Sequence, residues 1–211
     1  MKQHSHHKFF LRAVSAVLPL LLAALLCACG AKTEAPAPDE PELLTGTYIA
    51  ELKIKDYGTV IFEMDADKAP ITVTNFVKLA QSGFYDGLTF HRIMNGFMMQ
   101  GGDPTGTGGG GAQEKIKGEF SSNGIDNPLS HTRGAVSMAR SNDMNSASSQ
   151  FFIVHQDSTF LDGNYACFGY VTEGMDVVDA ICENTPVTDN NGSVPQESRP
   201  VIESLTVSEK G

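Results

Sequence analysis

The sequence predicts a mainly β fold, a closed antiparallel β-barrel capped by two α-helices. Three observations predict it. From Thr47 onward, short apolar runs with a two-residue period follow one another at close spacing. A helical period appears only twice, once near each end of that region. Turn residues separate the runs, and closing such a chain into a barrel removes the sheet edges it would otherwise expose.

The elements read in order as follows. Tyr48 to Ile54 alternates imperfectly through Ile49, Glu51, Leu52, Lys53 and Ile54, and Asp56-Tyr57-Gly58 then turns the chain into Thr59–Met64 as a hairpin. Pro70 suits the first turn of a helix, Val73, Phe76, Val77 and Ala80 fall at i, i+3, i+4 and i+7, and Gly83 stands where a left-handed cap belongs. Further strand-like runs are Thr89–Ile93, Ala135–Ala139, Gln150–Val154 and Cys167–Val171. Met175, Val178 and Ile181 carry the second helical period, and Val201–Val207 closes the chain. Gly106–Gly111 formally matches G-x-G-x-x-G, but a polar stretch follows where a dinucleotide fold needs a helix, so a flexible surface loop is expected.

The N-terminal part reads as an address. Lys2 to Arg12 is basic, and Ala13–Leu26 is an apolar run of 14 residues, too short to span a hydrocarbon core of about 30 Å comfortably. It ends in Leu26-Cys27-Ala28-Cys29-Gly30, which resembles the bacterial lipobox, with Cys29 as the lipidated residue; Cys27 fits worse, because bulky Leu26 would precede it. Ala31–Gly46 is rich in Ala, Pro and Glu without apolar period, so it cannot bury enough surface to offset its ordering entropy. The expected organisation is a signal peptide over 1–28, a lipidated Cys29 with a disordered tether over 29–46, and one folded domain over 47–211. This places the domain outside the cytoplasm, anchored to a bacterial membrane. Gly30 in place of Asp directs it to the outer membrane if the host is Gram-negative.

The 211 residues carry a formal charge of −10, and without Lys2, Lys8 and Arg12 twelve cations face 25 acids, near −13. An acidic chain with no basic stripe is a poor binder of phosphate backbones, which excludes nucleic acid as a partner. His4, His6 and His7 could suggest a metal site but lie in the segment expected to be removed; beyond it there is no HExxH and no cysteine or histidine pair at ligand spacing, so no metal or cofactor is expected. Cys167 in a strand pattern and Cys182 near a helix end are expected to be free thiols.

Three runs carry the chemistry. Phe90-His91-Arg92-Ile93-Met94-Asn95-Gly96-Phe97-Met98-Met99-Gln100-Gly101-Gly102-Asp103 is followed by Ser137-Met138-Ala139-Arg140 with Ser149-Gln150-Phe151-Phe152-Ile153, and then by Phe160-Leu161-Asp162-Gly163 with Phe168-Gly169. In order and spacing they resemble the cyclophilins, peptidyl-prolyl cis-trans isomerases, over essentially everything after the tether. The resemblance implies an eight-stranded closed barrel and a reaction with no bond breaking. The barrier near 18–20 kcal/mol to rotating an X-Pro amide is lowered by binding the twisted form. As resonance is lost the prolyl nitrogen gains a lone pair, and a fixed guanidinium can donate to it.

By the same resemblance Arg92 is that donor and Gln100 orients it. Phe97, Met98, Phe152 and Leu161 line the proline pocket, the backbone at Ala139 and Arg140 binds peptide, and Gln150, Phe160 and Tyr165 complete the site. Partners are proline-containing unfolded or folding polypeptides, met by a monomer. His91, next to Arg92, should point to the opposite strand face as a structural residue. Phe160 stands where many relatives carry Trp, Tyr165 replaces a His, Arg140 replaces a common Asn, and Ser141–Ser148 is one residue longer, so weak cyclosporin binding is expected. The alternative is a non-catalytic proline-peptide binding module or chaperone; loss of the arginine at position 92 would have signalled it.

Overall fold

A computed structural model describes residues 42–211. The expected signal peptide, Cys29 and most of the expected tether lie outside the described residues. Within them Leu44 and Gly46 already touch the domain: the Leu44 N–H donates to Thr74 Oγ1 and the Gly46 N–H to Asp67.

The chain runs β1 (Thr47–Ile54), β2 (Gly58–Asp65), α1 (Pro70–Gln81), β3 (Phe90–Met94), β4 (Met98–Gly101), β5 (Ala135–Met138), β6 (Phe151–Val154), β7 (Cys167–Glu173), α2 (Met175–Asn184) and β8 (Ile202–Glu209). All eight strands form one antiparallel sheet in the order β3-β4-β6-β5-β7-β2-β1-β8. In the first hairpin Ala50 faces Phe62 and Leu52 faces Val60, so the alternation of each strand buries one face. The turn places Asp56 at φ 67°, a left-handed conformation that Asp tolerates better than most side chains. Helix α1 begins at Pro70, as its sequence signals, and Gly83 follows its end at φ 71°, where the Phe84 N–H returns to the Leu79 carbonyl. Its Phe76 ring lies 5.0–5.9 Å from Phe62, Tyr85, Phe151 and Phe168, at the centre of the main core.

The barrel does not close as expected. The sheet is an open half-barrel with β3 and β8 as its edges, spanned by the single bridge Thr89↔Val201 and by a few bonds beside it, such as Phe90 N–H to Pro200 C=O at 3.0 Å. Pro200 has no N–H to continue a ladder. Beyond it the 191–194 loop, not β8, covers the β3 edge: Ile93 donates to Gly192 C=O and Val194 to His91 C=O. Cys167 and Cys182 are free and buried, and burial pushes their thiols up to about 11 and about 12.

Candidate functional site

Register builds the site. Across β3, β4 and β6, Arg92 pairs with Gln100 and Gln100 with Phe152, while Met94 pairs with Met98 and Met98 with Val154. Their neighbours Ile93, Met99 and Ile153 point the other way, into the main core. The period of two therefore sorts one sheet into a structural face and a face that gathers a second, smaller apolar cluster of Met98, Phe152, Val154 and Leu161.

Above that cluster is a cleft of about 150 Å³ bordered by Arg92, Phe97, Met98, Gln100, Ala139, Arg140, Phe152, Leu161 and Tyr165. Two of the expected residues stand beside it. Phe160 is 71% exposed and its ring lies 5.6 Å from that of Phe97, extending the apolar rim outward. Gln150 sits one step behind, against Gln100.

Arg92 is held from several sides. Its Nε donates to the Asn191 carbonyl at 2.8 Å, Nη1 to Gln100 Oε1 at 3.3 Å, and Nη2 meets the Met94 sulfur at 3.1 Å. Gln100 Nε2 donates to Gln150 Oε1 at 2.8 Å, and Gln150 Nε2 to the carbonyls of Gly108 and Gly110. A relay thus ties the guanidinium to the glycine loop. Partial burial pulls the Arg92 pKa down, with Tyr165 and Asp189 opposing; an arginine still carries its full charge at neutral pH.

The second arginine is differently placed. The Arg140 guanidinium lies 4.8 Å from the Tyr165 ring centre and 5.1 Å from that of Phe120, with Nε on the Asn164 carbonyl. The Ala139 N–H is already given to the Gln150 carbonyl, so a peptide could use only its carbonyl side.

The sequence reading missed the supports. Met94, two residues along the same strand in the first run but given no role there, and Asn191, 99 residues away, hold Arg92. His131 is fully buried and its ring stacks on Phe152 at 6.0 Å. Its Nδ1 meets Asp162 at 2.7 Å and its Nε2 meets Ser137 Oγ at 2.9 Å. That serine, histidine and aspartate order suggests a hydrolase, but Ser137 and His131 are both 0% exposed and no substrate carbonyl can reach the hydroxyl. The trio instead fixes the aromatic floor of the cleft.

His91 sits at a bulge between Phe90 and Arg92, so simple alternation does not put it on the far face; it is buried and borders a cavity together with Arg92. The 106–111 loop is not loose. The Asp103 carboxylate accepts from the N–H groups of Thr105, Gly108 and Gly110 and from Thr105 Oγ1.

A shallow, largely apolar cleft walled by the guanidiniums of Arg92 and Arg140, on a β half-barrel, is the candidate site. A family model described as cyclophilin type peptidyl-prolyl cis-trans isomerase/CLD matches residues 49–207. Peptidyl-prolyl cis-trans isomerase B of Bacillus subtilis is 43% identical over 155 residues, 74% of this chain and 96% of its own. A Helicobacter pylori peptidyl-prolyl cis-trans isomerase is 43% identical over 142 residues, 66% of this chain and 83% of its own. Among solved structures, a Cryptosporidium parvum cyclophilin crystallised with the dipeptide Ala-Pro superposes with a TM-score of 0.67 at 30% identity, covering 77% of this chain and 99% of that one. The chain belongs to the cyclophilin-type peptidyl-prolyl cis-trans isomerase family, and isomerisation of X-Pro bonds is its reaction.

Proposed function

We propose that Arg92 performs this reaction by donating a hydrogen bond to the prolyl nitrogen as the amide twists, with the proline ring seated against Phe97, Met98, Phe152 and Leu161. The observation that carries this reading is the position of the guanidinium: it borders the same cleft as the apolar floor and is fixed by Asn191, Gln100 and Met94. A donor held in place before reaction costs no reorganisation when the lone pair appears, whereas planar ground-state amides offer no such acceptor on nitrogen. Gln100, itself held by Gln150, positions Arg92. Phe160 and Tyr165 frame the peptide on either side of the ring.

The clients are proline-containing polypeptides outside the cytoplasm, and the chain is a monomer tethered to the membrane through a lipid on Cys29. The Leu26-Cys27-Ala28-Cys29 run after an apolar segment supports the anchor. Among the described residues no helix is long and apolar enough to cross a membrane. Turnover of a proline peptide by Arg92→Ala and Arg92→Lys tests the mechanism. Both should lose most activity, because a compact ammonium cannot keep the planar fork that reaches Gln100 and substrate together. A fully active Arg92→Lys would overturn the role given to the fork.

A further inference from the structure

Arg92 and Gln100 also border a second cavity, of about 350 Å³, whose wall includes His91, Thr107, Ser193 and Arg199. Two guanidiniums line it and, among the described residues, no carboxylate does. Among the described residues neither Arg92 nor Arg199 takes part in an ion pair. Arg199 donates from Nε to the Val194 carbonyl at 3.0 Å, and its two terminal nitrogens have no acceptor among the described residues. Gly106, at φ 64°, lets this guanidinium lie against the backbone, since a Cβ there would stand 2.7 Å from Nη1.

His91 adds an independent observation. It is 7% exposed, its Nδ1 is enclosed without a partner, and its Nε2 makes no hydrogen bond among the described residues. Nδ1 is closed off from any ligand, so Nε2 is the ring nitrogen that can serve the cavity; with its proton there, a neutral imidazole presents a donor without an acceptor beside the free terminal nitrogens of Arg199. The nearby carboxylates do not supply it. Asp103 is saturated by four donors, and Asp189 at the surface is held by the N–H groups of Asn191 and Ser193.

We propose that this cavity binds a phosphate-class oxyanion between Arg92 and Arg199, and that its occupation slows isomerisation by drawing Arg92 away from Gln100. A tetrahedral dianion offers several acceptor oxygens at once, which suits two planar guanidiniums, a neutral imidazole N–H and the hydroxyls of Thr107 and Ser193. The effect on turnover rests on the catalytic role proposed for Arg92; the binding does not.

The test uses the full chain in detergent. Calorimetric titration with inorganic phosphate, and separately with a phosphoserine peptide lacking proline, is run against chloride at equal ionic strength. Proline-peptide exchange is measured in parallel by NMR on the peptide signals. Saturable binding of phosphate alone assigns a free anion, and binding of the phosphopeptide assigns a phosphoryl group carried by a client; either supports the site. Arg199→Gln should weaken that binding at least about tenfold while leaving turnover without phosphate at the wild-type rate. Arg199→Lys, which keeps charge but loses the fork, should fall between, with circular dichroism confirming both folds. No saturable heat beyond the chloride control, or wild-type affinity in Arg199→Gln, overturns the site. Arg199-dependent binding with unchanged turnover keeps the site but overturns its coupling to Arg92.

Discussion

Helix α1 has no cap of its own, and its stability should depend on one distant carboxylate. Ala69 precedes it without a side-chain bond, Pro70 takes the first position, and no acid lies in the first turn. Glu119, 1% exposed and 48 residues beyond Ile71, accepts the Ile71 N–H at 2.9 Å and the Thr72 N–H at 2.7 Å. Glu119→Ala removes both acceptors. Stranding a buried donor costs about 1–3 kcal/mol, a lost cap about 1 and the lost charge at the helix dipole about 0.3–1. These overlap, and a total of about 3–4 kcal/mol is expected. At about 2–4 °C per kcal/mol for a domain of this size, the melting temperature should fall by about 6–16 °C. Glu119→Gln keeps one acceptor oxygen and should lose about half as much. Thermal unfolding followed by circular dichroism measures both. A melting temperature for Glu119→Ala within about 2 °C of wild type would refute the reasoning, and since Glu119 does not border the cleft, turnover at 25 °C should not change.

His91 and His131 are both held below the ordinary imidazole value of 6.5, first of all by burial. The unfolded chain gains these protons near that value and the folded chain does not, so stability should decline as pH falls below about 6.5. His91→Gln should flatten the decline in a pH series of melting curves; a rising melting temperature between pH 7 and 5.5 would contradict it. For Cys29, intact mass of membrane-derived protein should show diacylglycerol at that residue, and Cys29→Ala should stay unprocessed; an unmodified Cys29 sinks the anchor. Phe160 offers an exposed ring but no N–H donor, so Phe160→Trp should tighten cyclosporin binding by roughly ten- to a hundredfold, on the order of 1–3 kcal/mol. Equal affinities by fluorescence titration would count against that.

Much of the fold is legible because local signals and burial agree. The first hairpin and both helices appear where alternation, Pro70, Gly83 and the helical period put them. Strand β4 is not among the runs read from alternation. Of its four residues Met98, Met99 and Gly101 are buried and only Gln100 is half-buried, and the strand ends at a glycine, so period and β-propensity are both weak there. Closure failed for a reason of long range: whether β8 meets β3 depends on the chain around Pro200 and on the 191–194 loop that covers the edge instead. The cleft residues were legible through the family resemblance. Their supports were not, since the bond from Arg92 to Asn191 and the stack of His131 under Phe152 join segments with no local pattern in common. The bulge at His91 likewise defeats a strict period of two.

The central claim is that Arg92 acts on the twisted amide and not on the bound peptide, and one paired measurement separates the two. Exchange NMR on a proline peptide gives the rate of isomerisation, and titration of the same sample gives the affinity. A charge-assisted bond in a partly dry cleft is worth roughly 2–4 kcal/mol to a transition state. Arg92→Ala should therefore lose on the order of 30- to 1,000-fold in kcat/KM while its peptide affinity changes by no more than about threefold. A folded Arg92→Ala chain that exchanges its peptide near the wild-type rate, or one whose lost rate is matched by an equal loss of affinity, would contradict the account.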